Sequence, residues 1–183
     1  MRARCAPGEV RPQGYTNLTN SQTLSTRTSS GWVSRDIAIP NETSSSQAVG
    51  TIAEYPFFSE DLASAVVQPL GGFIPASSPQ ALAPQEASEQ TAFLRTDYAS
   101  GDLASPCATS CFRPLVTGMP GFANVSAGTR FGVGEEGECP PGILCGPQFL
   151  GASPDARHIV LYSEVPLTEG GGVGMYDTIW KSR

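Results

Sequence analysis

Five cysteines are the most reactive side chains in this 183-residue chain, and four of them form two local pairs. Three residues separate Cys107 from Cys111, and five separate Cys139 from Cys145. Pairs of this kind in long loops are expected to be disulfides that staple the loops, as in proteins made in an oxidising compartment. Free thiols and a zinc site are the alternatives. Zinc would ask for Cys-x-x-Cys spacing or neighbouring histidines, and His158 is the single histidine. Cys5 has no nearby partner. For His158 to act as a base it would need a nucleophile and an orienting group, and no Gly-x-Ser-x-Gly elbow is written anywhere. It reads instead as a polar residue beside a turn.

Asp61 and Asp155 are the carboxylates that could divide acid and base work between them. Calcium would require several oxygen ligands close in sequence, in the manner of an Asp-x-Asp-x-Asp loop, and there is none. Gly132-Val-Gly134-Glu-Glu-Gly137 has the glycine spacing of a dinucleotide loop. It lacks the preceding strand, the following helix and the later acidic residue that give that loop its function. Glu169-Gly-Gly-Gly-Val-Gly174 fits neither phosphate pattern and reads as a connection between strands. Asn17-Leu-Thr, Asn41-Glu-Thr and Asn124-Val-Ser are glycosylation sequons, which carry meaning only in a secreted eukaryotic chain. No catalytic residue, cofactor or metal is expected.

The elements that would position these residues are short strands. With 20 Gly and 16 Pro, well above the usual share, the chain is interrupted too often for long helices. Period-two patterning predicts strands at Gln22–Arg27 and Trp32–Ile37, joined through Ser29-Ser30-Gly31. Further strands are predicted at Tyr55–Ser59, Ala65–Leu70, Thr91–Arg95 and Phe112–Thr117, and then at Gln148–Ala152, Ile159–Ser163 and Met175–Trp180. Residues 71–89 read as loop, with room for a short helix around Pro84–Gln90, and 118–147 as a long Gly/Pro loop. Residues 1–21 are expected to be poorly ordered.

One segment matches another. Aligning YPFFSEDLASAVV with FLGASPDARHIVL places Ser59 on Ser153 and Asp61 on Asp155, 94 positions apart. Ala65-Val66-Val67 then falls on Ile159-Val160-Leu161. In each copy Asp can accept amides two residues on, with the preceding Ser capping the turn and an apolar strand following. Ser59, Asp61, Ser153 and Asp155 are therefore expected to be structural turn residues doing the same work twice. This argues against an acid–base pair.

SPDARHIVLYSEVPLT resembles the turn-and-strand signature of TolB-type, WD-repeat-like β-propellers, and FFSEDLASAVV looks like a copy that has lost its proline. The succession SGWVSRDI, FLRTDY, RPLVTG, AGTRFG and FLGASPD is similar to stretches of large uncharacterised propeller proteins of high-GC bacteria. The resemblance implies an all-β fold: a β-propeller fragment of about two four-stranded antiparallel blades with long Gly/Pro loops. Residues 22–183 would form the partial propeller, with one complete blade at about 55–117 and part-blades on either side. Closed propellers have at least four blades. The chain alone is therefore expected to leave sheet faces open and to self-associate or be marginally stable.

With Lys and Arg numbering 11 against 17 Asp and Glu, the net charge of −6 excludes the basic patch that nucleic acid requires. No run approaches the roughly 20 apolar residues of a membrane helix, and the N-terminus MRARCAPGEV has no apolar stretch of the signal-peptide kind. Taken together, these features point to a non-catalytic propeller segment in the extracellular space or cell envelope. It would serve as an interaction or scaffold module for a protein or surface ligand and for the remaining blades of a longer chain. The alternative is the propeller of a larger hydrolase of the serine oligopeptidase type, whose catalytic domain is not in this sequence.

Overall fold

A computed structural model of the chain describes residues 22–37, 55–68, 86–96, 112–132, 146–169 and 176–181. The described residues form nine strands and no helix. In order these are β1 (Thr23–Thr28), β2 (Gly31–Asp36), β3 (Phe57–Phe58), β4 (Ala65–Val67), β5 (Phe93–Arg95), β6 (Phe112–Pro114), β7 (Gln148–Ala152), β8 (His158–Ser163) and β9 (Tyr176–Lys181). They make three antiparallel sheets whose strands follow chain order: β1-β2, β3-β4-β5-β6 and β7-β8-β9. The described residues are all-β, as the strand patterning indicates. The short helix allowed for around Pro84–Gln90 does not form over 86–90, whose groups are instead bonded to neighbouring loops.

The β1-β2 hairpin turns through Ser29-Ser30, and Gly31 takes φ 132°, a conformation that side-chain-bearing residues rarely adopt. The Thr28 hydroxyl lies 2.9 Å from the Gly31 carbonyl and accepts the Ser30 N–H at 3.3 Å, bonds that tighten the turn.

Strand alternation divides the middle sheet between two apolar clusters. Ala65, Val67, Phe93 and Phe112 point to one face and pack with Ile37 and Leu24 of the first sheet's segment. Phe57, Val66 and Leu94 point to the other face and pack with Phe149, Ala152, Ile159 and Leu161 of the third sheet. The registers Phe57↔Val66 and Val66↔Leu94 set the second group in one row across three strands. As a result Ala65, Val66 and Val67 are all fully buried, although they are consecutive on one strand. A strand buried on both faces needs an unbroken apolar run, and Ala-Val-Val provides it. Between the first and second sheets Arg95 is buried, its guanidinium bonded to the Tyr55 hydroxyl and lying 4.7 Å from the centre of the Phe112 ring.

Residues 86–91 form a strap that organises the long loop after β6. The Glu86 carbonyl accepts the Thr117 hydroxyl, and the Ser88 hydroxyl accepts the Gly118 N–H at 2.9 Å. The Glu89 carboxylate accepts the N–H groups of Phe131 and Gly132, and the Thr91 hydroxyl accepts that of Val116. The Gln90 backbone passes between Gly132 and Gly146, and a Cβ on either glycine would lie 2.4 Å from it. Gly146 also has φ 83°, so two independent constraints require glycine there.

Candidate functional site

The repeated turns are the residues singled out by sequence that the structure brings together. In the first, the Ser59 hydroxyl donates to the Asp61 carboxylate at 2.7 Å and accepts the Ser64 N–H at 2.9 Å, while Asp61 accepts the Ala63 N–H at 2.9 Å. The Ser59 and Leu62 N–H groups close the turn onto the carbonyls of Ser64 and Ser59. The second turn repeats each bond 94 positions on. The Ser153 hydroxyl donates to Asp155 at 2.6 Å and accepts the His158 N–H at 3.0 Å, and Asp155 accepts the Arg157 N–H at 3.1 Å. Even the backbone distortion recurs, with φ 55° at Leu62 and φ 57° at Ala156. Both residues occupy the left-handed region, which costs a side-chain-bearing residue about 1 kcal/mol.

The two turns touch. The Glu60 N–H donates to the Pro154 carbonyl at 2.8 Å, which joins the turn of the middle sheet to that of the third. The two carboxylates are held below their ordinary value of 3.8. For Asp61 the main cause is the Ala63 N–H, followed by the Ser59 hydroxyl; the charge of Asp155 opposes this weakly. For Asp155 the main cause is the Ser153 hydroxyl, followed by the Arg157 N–H. A general acid at neutral pH needs the opposite shift. Each carboxylate already has its own hydroxyl and amide, and the arrangement locks two chain reversals. Arg157 adds an exposed ion pair to Asp155 at 3.6 Å, of the class that contributes little. His158 joins the turn through its backbone N–H and carbonyl, with its side chain exposed.

Two glutamines each clamp the backbone of a following segment. The Gln22 carboxamide accepts the Tyr55 N–H at 2.7 Å and donates to the Tyr55 carbonyl at 2.9 Å. The Gln68 carboxamide accepts the Phe149 N–H at 2.9 Å and donates to the Pro147 carbonyl at 3.3 Å. Tyr55 and Phe149 are 94 positions apart, whereas Gln22 and Gln68 are 46 apart, so equivalent residues are clamped by glutamines at non-equivalent positions. Sequence reading missed the glutamines. The available signal was the aligned aromatic pair Tyr55/Phe149, four residues ahead of Ser59/Ser153.

The other candidates resolve individually. Cys107, Cys111, Cys139 and Cys145, together with Cys5 and residues 1–21, lie outside the described residues. The insertions that carry the paired cysteines are closed at their bases by other groups. Arg95 pairs with Phe112 across one, and Gly132 lies against Gly146 across the other. At Gly132 the N–H that a phosphate loop would offer is given to Glu89. The Asn124 carboxamide accepts the Thr117 N–H at 2.9 Å and donates to the Leu115 carbonyl at 2.8 Å, so this sequon serves the fold. Asn17 and Asn41 lie outside the described residues. Among the described residues no three His, Cys, Asp or Glu side chains cluster as metal ligands, and no helix is long and apolar enough to cross a membrane. No protein family, curated protein or solved structure matches the chain.

Proposed function

We propose that the chain is a non-catalytic interaction or scaffold module, an arc of a β-propeller. In this reading β3–β6 form one blade, β1-β2 are the outer strands of the blade before it, and β7–β9 are the first three strands of the blade after it. The observation that carries the reading is the division of the middle sheet. Consecutive residues of β4 serve the cluster shared with the first sheet and the cluster shared with the third. The turns repeat with a 94-residue offset, as expected of successive copies of one unit, and Tyr55 and Phe149, each clamped by a glutamine, share that offset. Its partners would be further sheets of the same build and a protein or surface ligand held by the loops. The two cysteine pairs are the reason to place it in the extracellular space or cell envelope.

Incubating the purified chain with generic ester and peptide substrates tests the non-catalytic reading, and no turnover is expected. Turnover abolished by Asp61→Asn, Asp155→Asn or His158→Ala in a chain that remains folded would overturn it.

A further inference from the structure

The strap at 86–91 meets the loop after β6 at both of its ends. At the near end the bonds are neutral. The Glu86 carbonyl accepts the Thr117 hydroxyl, the Ser88 hydroxyl accepts the Gly118 N–H, and the Thr91 hydroxyl accepts the Val116 N–H. At the far end the acceptor is a charge. One oxygen of the Glu89 carboxylate, Oε2, takes the N–H of Phe131 at 2.7 Å and that of Gly132 at 2.5 Å. Two consecutive amides aimed at one point form the concavity in which a backbone binds anions, and hydrogen bonds to an ionised acceptor are the strong ones. Phe131 and Gly132 are buried. Glycine at 132 lets the strap come this close, because a Cβ there would lie 2.6 Å from the Glu89 Cβ and 2.4 Å from the Gln90 nitrogen. Between its ends the loop is locally made. The Met119–Phe122 and Ser126–Thr129 turns are closed by their own backbone, with Gly121 at φ 87° and Gly128 at φ 81°. Its middle is tied once to the third sheet's segment, by the Ser126 N–H on the Leu167 carbonyl.

We propose that the Phe131–Gly132 amide pair is an anion-binding site filled by the chain's own Glu89, and that this contact is the latch of the strap, on whose release the strap and both ends of the loop open together. The ligand class is a carboxylate, since the site already holds one. Glu89 is tethered beside the amides and excludes a free anion, which reaches the site only when Glu89 leaves it. The joint opening follows from where the bonds fall. The neutral bonds at Val116, Thr117 and Gly118 are made by the same short strap, and neutral bonds are individually modest, so a strap that loses its charged contact gives them up in concert.

Amide hydrogen exchange of the full chain tests both parts. Glu89→Ala is expected to speed exchange at Val116, Gly118, Phe131 and Gly132 by about tenfold or more, while β8 exchanges as in the parent. Added sodium formate should slow these four amides again in the variant and not in the parent, and formamide, its neutral counterpart, should not. Faster exchange confined to Phe131 and Gly132 would overturn the latch, and a variant that formate does not protect would overturn the anion site. Glu89→Gln keeps an acceptor and removes the charge, and it should show the same joint release at smaller size. It carries the test if Glu89→Ala does not fold: exchange matching the parent would show that the charge is idle and overturn the proposal.

Discussion

The middle sheet and the β1-β2 hairpin are built from equally simple strands, yet their burial differs sharply. Val66 is fully buried, whereas Val33 is 51% and Trp32 70% exposed. β4 is the shorter element, three residues against six, so strand length is not the cause. What differs is the number of neighbours. β4 has a packed sheet on each face, while, among the described residues, the hairpin contributes Leu24 and the adjoining Ile37 to a shared cluster. Burial here follows sheet-on-sheet contact rather than strand length, and apolar burial is the term expected to dominate stability.

That contrast is sharpest under charge insertion. Val66→Asp places an unpaired carboxylate between two sheets and is expected to cost about 4 kcal/mol or more, or to unfold the chain. Trp32→Asp should stay within about 0.5 kcal/mol of the parent in the same denaturant titration. Gly146→Ala comes next. Its Cβ would press on the Gln90 and Phe131 carbonyls in a left-handed conformation, and a loss of about 3 kcal/mol is expected. Removing an entry clamp has a smaller effect. Gln68→Leu leaves the Phe149 N–H and Pro147 carbonyl without their partner and should cost about 1–3 kcal/mol. Gln22→Leu should cost less, because its hairpin is the more exposed neighbour.

The turns respond to pH. The folded-state values of Asp61 and Asp155 are depressed, so their contribution is present above the ordinary carboxylate value of 3.8 and is lost as pH falls through the lower folded values. Unfolding midpoints should therefore drop on acidification below that value, and the drop should shrink in the Asp61→Asn/Asp155→Asn double variant. The smallest effect is expected at the left-handed positions. Ala156→Gly relieves backbone strain and should raise stability by about 0.5 kcal/mol, less than the strain itself because glycine also loosens the unfolded chain.

Much of the strand framework was legible because alternation and turn chemistry are local. The nine strands lie at the nine expected places, shortened where the pairing partner is short, as at β3 and β6. The equivalence of Ser59 with Ser153 and of Asp61 with Asp155 was legible for the same reason, since each turn is closed by its own residues. The strap at 86–91 was not legible. It read as loop or short helix because its partners, Thr117, Phe131, Gly132 and Gly146, lie 31 to 56 positions away. The glutamine clamps were hidden similarly, because a polar residue at a strand end gives no sign of the backbone it will meet.

Native-state hydrogen exchange addresses the stacking of sheets most directly. The Val66 and Val67 amides should exchange slowest, those of β8 next, and those of β1-β2 fastest, following the number of sheets packed on each. Exchange at β4 as fast as at β1-β2, in a chain that retains its far-ultraviolet β signal, would show that the sheets are not packed face to face.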